Sequence, residues 1–124
     1  MDWDDWAYRV ARALGPNAKG EFQTLFAAGA LFSDPVNEPT TDLAAIEEMT
    51  EASFPDWGQE ILSVHGDTTG GAFEWIGRGT LGGKTPIEIH GCTMVQVDSE
   101  GFVVRWRDYF DLKEIDAQLA GPIE

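Results

Sequence analysis

GFVVRWRDYFD, residues 101–111, alternates with the two-residue period of a β-strand. One predicted face comprises Val104, Trp106, Asp108 and Phe110, and the other comprises Val103, Arg105, Arg107 and Tyr109. If the first face is buried, its carboxyl loses hydration, which raises the pKa and makes the group a usable acid or base near neutral pH. The alternative is a strand end at which Asp108 faces water or caps the next helix.

The composition predicts one acidic globular domain spanning residues 1–124, a length that suits a single core. The net charge is −14 and the pI is near 4.2, so we expect nucleic acids and anionic membranes to be repelled. The single cysteine, Cys92, excludes an internal disulfide and is typical of a reducing compartment. With no long apolar run and no secretory signal pattern, we expect a cytoplasmic protein without a membrane partner.

Two helices are predicted at the start of the chain. The first, residues 3–14, has an apolar stripe and stops at Gly15 and the proline after it. The second is capped by Asn17 and ends near Gly29. Their predicted buried residues are Trp3, Trp6, Val10 and Leu14 for the first helix, and Phe22, Leu25 and Phe26 for the second.

A short strand at residues 30–33 is predicted to run into a loop, residues 34–39, that two prolines stiffen. Thr41 is the predicted cap of a third helix that ends before Pro55. One side of this helix is predicted to carry Leu43, Ile46, Met49 and Thr50.

Four strands are predicted in the second half of the chain, at residues 61–65, 72–81, 87–97 and 102–110, followed by a last helix at 112–119 that ends at Gly121-Pro122. Helices first and strands afterwards favour an α+β fold in which helices pack on one face of a curved antiparallel sheet.

The residues indicate neither a cofactor nor a metal. GRGTLG at 77–82 matches a dinucleotide pattern, but GKTP at 83–86 is typical of a hairpin rather than of the helix that a phosphate site requires. His65 and His90 have no cysteine or histidine neighbour at zinc-ligand spacing.

Three local sequences resemble a known superfamily. LFSDPVNEP at 31–39, followed by AAI at 44–46, resembles a loop and helix of ketosteroid isomerase. WRDYFD at 106–111 is similar to the last strand of limonene epoxide hydrolase and of SnoaL-like polyketide cyclases, and EWIGRGT at 74–80 is SnoaL-like. The chain thus resembles the nuclear transport factor 2-like superfamily over nearly its whole length. That resemblance implies a cone in which three N-terminal helices close a curved antiparallel sheet around an apolar pocket.

By this resemblance, Asp34 falls where ketosteroid isomerase keeps its proton-shuttling base. In that enzyme the base faces an oxyanion hole made by a Tyr and a protonated Asp. The corresponding positions fall here on Val10 and near Thr93, and Thr93 is a weaker hydrogen-bond donor. The alternative for Asp34 is an ordinary turn residue before proline.

Asp108 falls on one carboxylate of the Asp-Arg-Asp set with which limonene epoxide hydrolase activates water and protonates the epoxide. The other two positions hold Trp75 and Gly77 in this chain, and Arg78 is predicted to point to the opposite face. SnoaL-like cyclases need only a pocket aspartate that serves as acid and base for an already acidified carbon, a requirement that this chain can meet.

A set of substrate-binding residues is predicted from the flat apolar wall that aromatic rings can provide, with a hydroxyl beside it. The set comprises Phe54, Trp57, Trp75, Thr93, Trp106 and Phe110. One alternative is that these aromatic residues only fill the core. For Trp57, a further alternative is that it belongs to a mobile lid.

We therefore expect a small cofactor-free enzyme in which Asp34 and Asp108 exchange protons during isomerisation, cyclisation or epoxide opening of a hydrophobic polycyclic or terpenoid-like molecule. One alternative is a non-catalytic ligand-binding protein of the same fold, and another is a protein-interaction adaptor. The resemblance also implies a homodimer through the outer sheet face, which carries Glu88, His90, Cys92, Met94 and Gln96.

Overall fold

The computed structural model describes residues 1–15 and 20–120. Within these two ranges, three α-helices and five strands follow one another, with one 3-10 turn at Phe22–Leu25. In chain order they are α1 (Trp3–Leu14), β1 (Phe26–Ser33), α2 (Leu43–Ser53), β2 (Gly58–Gly66), β3 (Gly70–Leu81), β4 (Thr85–Val97), β5 (Val103–Phe110) and α3 (Leu112–Ala120).

The five strands form one curved sheet in the order β1-β5-β4-β3-β2, so the α+β fold class is confirmed. The pairs among β2, β3, β4 and β5 are antiparallel, as the sequence predicts. β1 lies parallel to β5, which makes the sheet mixed. In this pair Phe32 lies opposite Trp106, and Ser33 lies opposite Arg107. The register brings the loop that follows β1 alongside the last residues of β5.

The predicted second helix is wrong in type and extent. From residue 20 onward, where the structure describes this segment, one 3-10 turn forms instead, and Phe26, which was expected to be helical, begins β1 and pairs with Val103. Gly29 has φ 75° within an irregular part of β1, where it permits a shift of register rather than ending a helix. Pairing with β5 therefore overrides the local helical pattern. The predicted cap Asn17 lies outside the described residues.

α1 confirms the first predicted helix. The Asp2 side chain accepts a hydrogen bond from the Asp5 backbone N–H at 3.1 Å, which satisfies one free donor of the first turn. Trp6 and Val10 are buried as predicted, whereas Trp3 is half-buried.

α2 confirms the third predicted helix, including its end before Pro55. Its cap is Asp42, one residue later than the predicted Thr41, and the Asp42 side chain accepts from the Ala45 N–H at 3.1 Å. Of the predicted inward side, only Ile46 is fully buried. Met49 and Thr50 line a cavity, and Leu43 is half-buried against the core.

The four strands predicted in the second half are confirmed to within three residues at each end. The last helix is confirmed over Leu112–Ala120, and its predicted stop at residues 121–122 lies outside the described residues. No helix of the described chain has the length and apolar character needed to cross a bilayer.

The predicted alternation of β5 needs one correction at its start. Val103 is fully buried and Val104 is 40% exposed, the reverse of the expectation. Val97 pairs with Val103 and Gln96 pairs with Arg105, so Val104 is left between them as a bulge. The extra residue resets the alternation, and the aromatic and acidic residues after it keep their predicted face.

Candidate functional site

A cavity of about 520 Å³ lies among the helices, the loop after β1 and the inner face of the sheet. This volume falls within the range of about 300–1,000 Å³ that small-molecule pockets occupy. All but one of the predicted site residues line it, namely Asp34, Phe54, Trp57, Trp75, Trp106, Asp108 and Phe110. The cavity therefore brings both predicted catalytic carboxyls into one chamber.

Asp108 is half-buried and reaches the cavity from β5. Thr93 Oγ1 donates a hydrogen bond to Asp108 Oδ1 at 2.5 Å, and Trp75 Nε1 donates to Thr93 Oγ1 at 2.9 Å. Because Thr93 lies opposite Asp108 in the β4–β5 register, the sheet itself holds this chain of hydrogen bonds. The alternative role as a helix cap does not apply, since Asp111 accepts the Lys113 N–H at the start of α3.

Burial raises the pKa of Asp108 from 3.8 to about 7. The hydrogen bond from Thr93 acts in the opposite direction, as does the Trp106 indole N–H, although that N–H makes no hydrogen bond of good geometry. The negative charge of Asp34 adds a further rise. Loss of hydration thus outweighs the stabilising contacts, and Asp108 exchanges its proton near neutral pH.

Asp34 reaches the cavity from the loop after β1, which a pair of backbone hydrogen bonds between Phe32 and Thr40 closes. Its Oδ1 accepts from the backbone N–H groups of Val36 at 2.8 Å and Asn37 at 2.6 Å. The Asn37 Nδ2 group lies 3.1 Å from Oδ1 and 2.9 Å from Oδ2. Asp34 is therefore an ordinary turn residue before proline, and it also lines the cavity.

Trp57 and Phe54 form one aromatic wall, with ring centroids 5.0 Å apart. Gly77 makes room for the Trp57 ring, because a Cβ at that position would overlap the indole. Trp57 is 8% exposed and lies within the wall, and its backbone N–H donates to the Phe54 carbonyl, so the structure does not show it as a lid.

Trp75 and Phe110 continue this wall, with ring centroids 6.2 Å apart. Gly91, opposite Trp75 on β4, makes room for that indole in the same way. Trp106 serves the core and the cavity together, since it is 1% exposed and also packs against Phe22 with centroids 5.3 Å apart.

Thr93 is the predicted site residue that the cavity does not include. It is fully buried, and its hydroxyl is engaged by Trp75 and Asp108. The hydroxyl stands behind the Asp108 carboxyl and positions it, so a direct contact of Thr93 with substrate stays a prediction.

The cavity also contains polar residues that the sequence did not reveal. Gln59 lines it, and its Oε1 is buried without a hydrogen-bond partner. Gln59 is the second residue of β2 and precedes the predicted strand at 61–65, so the alternating pattern of that strand did not assign it to a face. Asn37 belongs to the predicted loop, but its hydrogen bonds to Asp34 form only in the folded turn, so the sequence did not indicate its place in the cavity. Among the described residues, no group of His, Cys, Asp or Glu is arranged to hold a metal ion.

Solved structures share this architecture. One is a protein of ketosteroid isomerase-like fold from Catenulispora acidiphila, solved with trimethylamine, at 21% identity with 94% of this chain and 92% of that chain covered and a TM-score of 0.83. Another is IdmH from Streptomyces antibioticus, whose assignment as a polyketide cyclase is provisional, at 19% identity, 97% and 99% coverage and a TM-score of 0.80. A third is a limonene epoxide hydrolase-like enzyme of M. tuberculosis, at 17% identity, 93% and 87% coverage and a TM-score of 0.71.

These likenesses show the fold. The comparison with curated protein sequences gives no match. A family model described as a SnoaL-like domain matches residues 8–106, which include every strand except the end of β5 and reach to within two residues of Asp108. The chain therefore belongs to the SnoaL-like domain family.

Proposed function

We propose that this protein is a small cofactor-free enzyme that transfers protons on a hydrophobic polycyclic or terpenoid-like molecule. The observation that carries the proposal is a carboxyl, Asp108, whose pKa is raised to about 7 inside a cavity of about 520 Å³ with largely aromatic walls. A group with such a pKa is populated in both protonation states near neutral pH, as acid and base catalysis require.

The two carboxyls divide the work in this proposal. Asp108 takes the proton and returns it, because burial brings its pKa near neutral pH. Asp34 accepts hydrogen bonds from N–H groups at both of its oxygens, which hold its carboxyl in place within its loop. Its negative charge favours the protonated form of Asp108 and would also attract positive charge that develops on the substrate.

The substrate class follows from the cavity walls. Trp57, Trp75 and Phe110 present flat apolar surfaces, which suit fused rings better than flexible or charged chains. The family and the structural relatives support the same class, since IdmH is provisionally a polyketide cyclase and the M. tuberculosis relative is an epoxide hydrolase-like enzyme. The proposed reaction is isomerisation, cyclisation or epoxide opening.

A ligand-binding protein without catalysis is the second candidate, and one observation favours it. The positions that would supply the arginine and second aspartate of an epoxide hydrolase set hold Trp75 and Gly77. Arg78 is directed away and pairs with Glu60 at 3.0 Å and Glu88 at 2.9 Å.

The test is exchange of the acidic protons of 2-tetralone for deuterium, followed by NMR. We expect the wild-type protein to accelerate the exchange, and Asp108→Asn to reduce the acceleration by roughly 100-fold or more. Glu100→Gln, which removes an exposed carboxylate in a turn, is the matched control and should retain full activity. Equal acceleration by wild type and Asp108→Asn, or none by either, would leave the ligand-binding function.

We also propose a homodimer through the outer face of the sheet. Met94 on β4 and Tyr109 on β5 are each about half exposed there, at 50% and 49%. Sedimentation equilibrium should give twice the chain mass for the wild type and the chain mass for Met94→Glu. A monomeric wild type would contradict the proposal.

A further inference from the structure

Two tryptophans of nearly equal burial differ in the partners of their indole N–H groups. Trp75 is 2% exposed and donates to Thr93 at 2.9 Å. Trp106 is 1% exposed, and its Nε1 lies near enough to the Asp108 carboxyl to lower the pKa of that group, but it makes no hydrogen bond of good geometry with any described residue. Buried donors are nearly always well paired, so this N–H, in the wall of a cavity, can take a better acceptor that enters the cavity.

The Trp106 ring cannot turn to find a partner within the protein. Phe32 stacks on it with an interplanar angle of 16° and centroids 6.3 Å apart. Phe22 and Phe73 pack edge-on at 5.3 Å and 5.9 Å. An indole held on several sides keeps its N–H in one direction, which makes it a pre-organised donor.

The free donor and the proton-exchanging carboxyl lie side by side. Trp106 and Asp108 are two residues apart on β5, so both side chains leave the same face, and both line the cavity. The Trp106 N–H is near enough to the carboxyl to lower the pKa of Asp108, so the donor is a neighbour of a carboxyl that lines the cavity.

We propose that Trp106 Nε1–H donates a hydrogen bond to a carbonyl oxygen of the substrate, next to the carbon at which Asp108 exchanges a proton. The substrates are accordingly ketones or related carbonyl compounds. The proton step rests on the function proposed above, whereas the carbonyl contact does not.

The step balances within the substrate and Asp108. The Asp108 carboxylate removes a proton from the carbon beside the carbonyl, and the C–H electron pair forms a carbon–carbon double bond. The carbonyl oxygen takes up the negative charge as an enolate, where the hydrogen bond from Trp106 is strongest. Isomerisation is completed when Asp108 returns the proton to the far end of a conjugated system. Exchange is completed when protonated Asp108 first swaps its proton with solvent and then returns the solvent-derived one to the same carbon.

The experiment compares the binding of 9-fluorenone, a flat tricyclic ketone, with that of fluorene, its hydrocarbon counterpart, by calorimetry. In Trp106→Phe we expect roughly 5- to 10-fold weaker binding of fluorenone relative to fluorene than in the wild type, because one hydrogen bond is lost. Trp3→Phe is the matched control, and it should leave the ratio unchanged, because the Trp3 indole lies outside the cavity lining and its N–H is already paired with the Asp67 carbonyl at 3.0 Å.

The infrared C=O band of bound fluorenone is the second readout. It should lie at lower wavenumber in the wild type than in Trp106→Phe. If Trp106→Phe does not fold, β-(3-benzothienyl)alanine at this position keeps the ring shape and removes the N–H, with the same expectation. An unchanged ratio and band, or no binding of either molecule, would overturn the inference.

Binding readouts separate this inference from the catalytic one. A shifted carbonyl band together with unchanged deuterium exchange in Asp108→Asn would preserve the carbonyl contact and reject catalysis.

Discussion

Asp34 and Asp108 lie in the same cavity but are held in opposite ways. Asp34 is surrounded by N–H donors of its own loop, from Val36 and Asn37. Asp108 receives one good hydrogen bond, from the Thr93 hydroxyl, and is otherwise set among aromatic rings. The comparison shows that surroundings, and not residue type, decide which carboxyl carries a proton near neutral pH.

The largest difference is expected in catalysis. In the deuterium exchange of 2-tetralone, Asp108→Asn should lose roughly 100-fold or more, whereas Asp34→Asn should lose only about 10-fold, because a general base is removed in the first case and a neighbouring charge in the second. Equal losses in the two variants would break the comparison and assign both carboxyls the same role.

A second difference should appear in stability against pH. Asp108 has a folded-state pKa of about 7 and a usual value of 3.8, so between these two values the folded protein holds a proton that the unfolded chain has released. The free energy of unfolding therefore falls as pH rises through this window. Asp108→Asn should lack this contribution. Its free energy of unfolding, relative to that of the wild type, should therefore increase by about 1 to 4 kcal/mol between about pH 5 and pH 8.

Urea unfolding of both proteins at the two pH values measures this change, and the other carboxylates cancel in the difference. Glu100→Gln is again the control, and it should follow the wild type. A constant stability difference between Asp108→Asn and the wild type would contradict the raised pKa.

Thr93→Val tests whether the Thr93 hydroxyl supports the Asp108 carboxyl. The substitution removes the hydroxyl that donates to Asp108 and accepts from Trp75. Because the Trp75 N–H is left buried without a partner, we expect a loss of about 1 to 3 kcal/mol in unfolding free energy. The pKa of Asp108 should rise above about 7, since a contact that lowers it is gone. Thr93→Ser keeps the hydroxyl and should restore both quantities.

The smallest effect is expected from the charge of Asp34 on Asp108. Asp34→Asn should lower the pKa of Asp108 modestly, because the carboxylate that disfavours its ionisation becomes neutral. Carbon-detected NMR titration of the Asp108 carboxyl follows this directly. A rise in the pKa would mean that loss of the loop hydrogen bonds, and not charge, dominates the variant.

Much of the fold could be predicted from local pattern. Alternation placed β2, β3, β4 and β5, and the apolar stripe placed α1, because these elements bury one face against the same core. The prediction failed at residues 26–29, where a helix-like pattern forms the start of β1, and at Val104, where a bulge resets the alternation. Both depend on pairing with a distant strand.

The candidate site was predictable in its residues and not in their arrangement. Asp34, Asp108 and the aromatic wall follow from residue type and from the resemblance, whereas the position of Thr93 behind Asp108 does not. Gln59 gave no signal, because an unpaired oxygen exists only once the surrounding chain has excluded water.

The sequence by itself determined the order of helices and strands outside residues 22–29, the faces of β5 beyond its bulge, and the presence of acidic and aromatic residues suited to a pocket. Only the tertiary structure decided that β1 lies parallel to β5 with Ser33 opposite Arg107, which carries Asp34 to the cavity that Asp108 lines. It also decided which donors stay unpaired and which carboxyl loses its water. The physical reason is that strand register and burial are set by contacts between residues far apart in the chain, and local pattern carries no information on them.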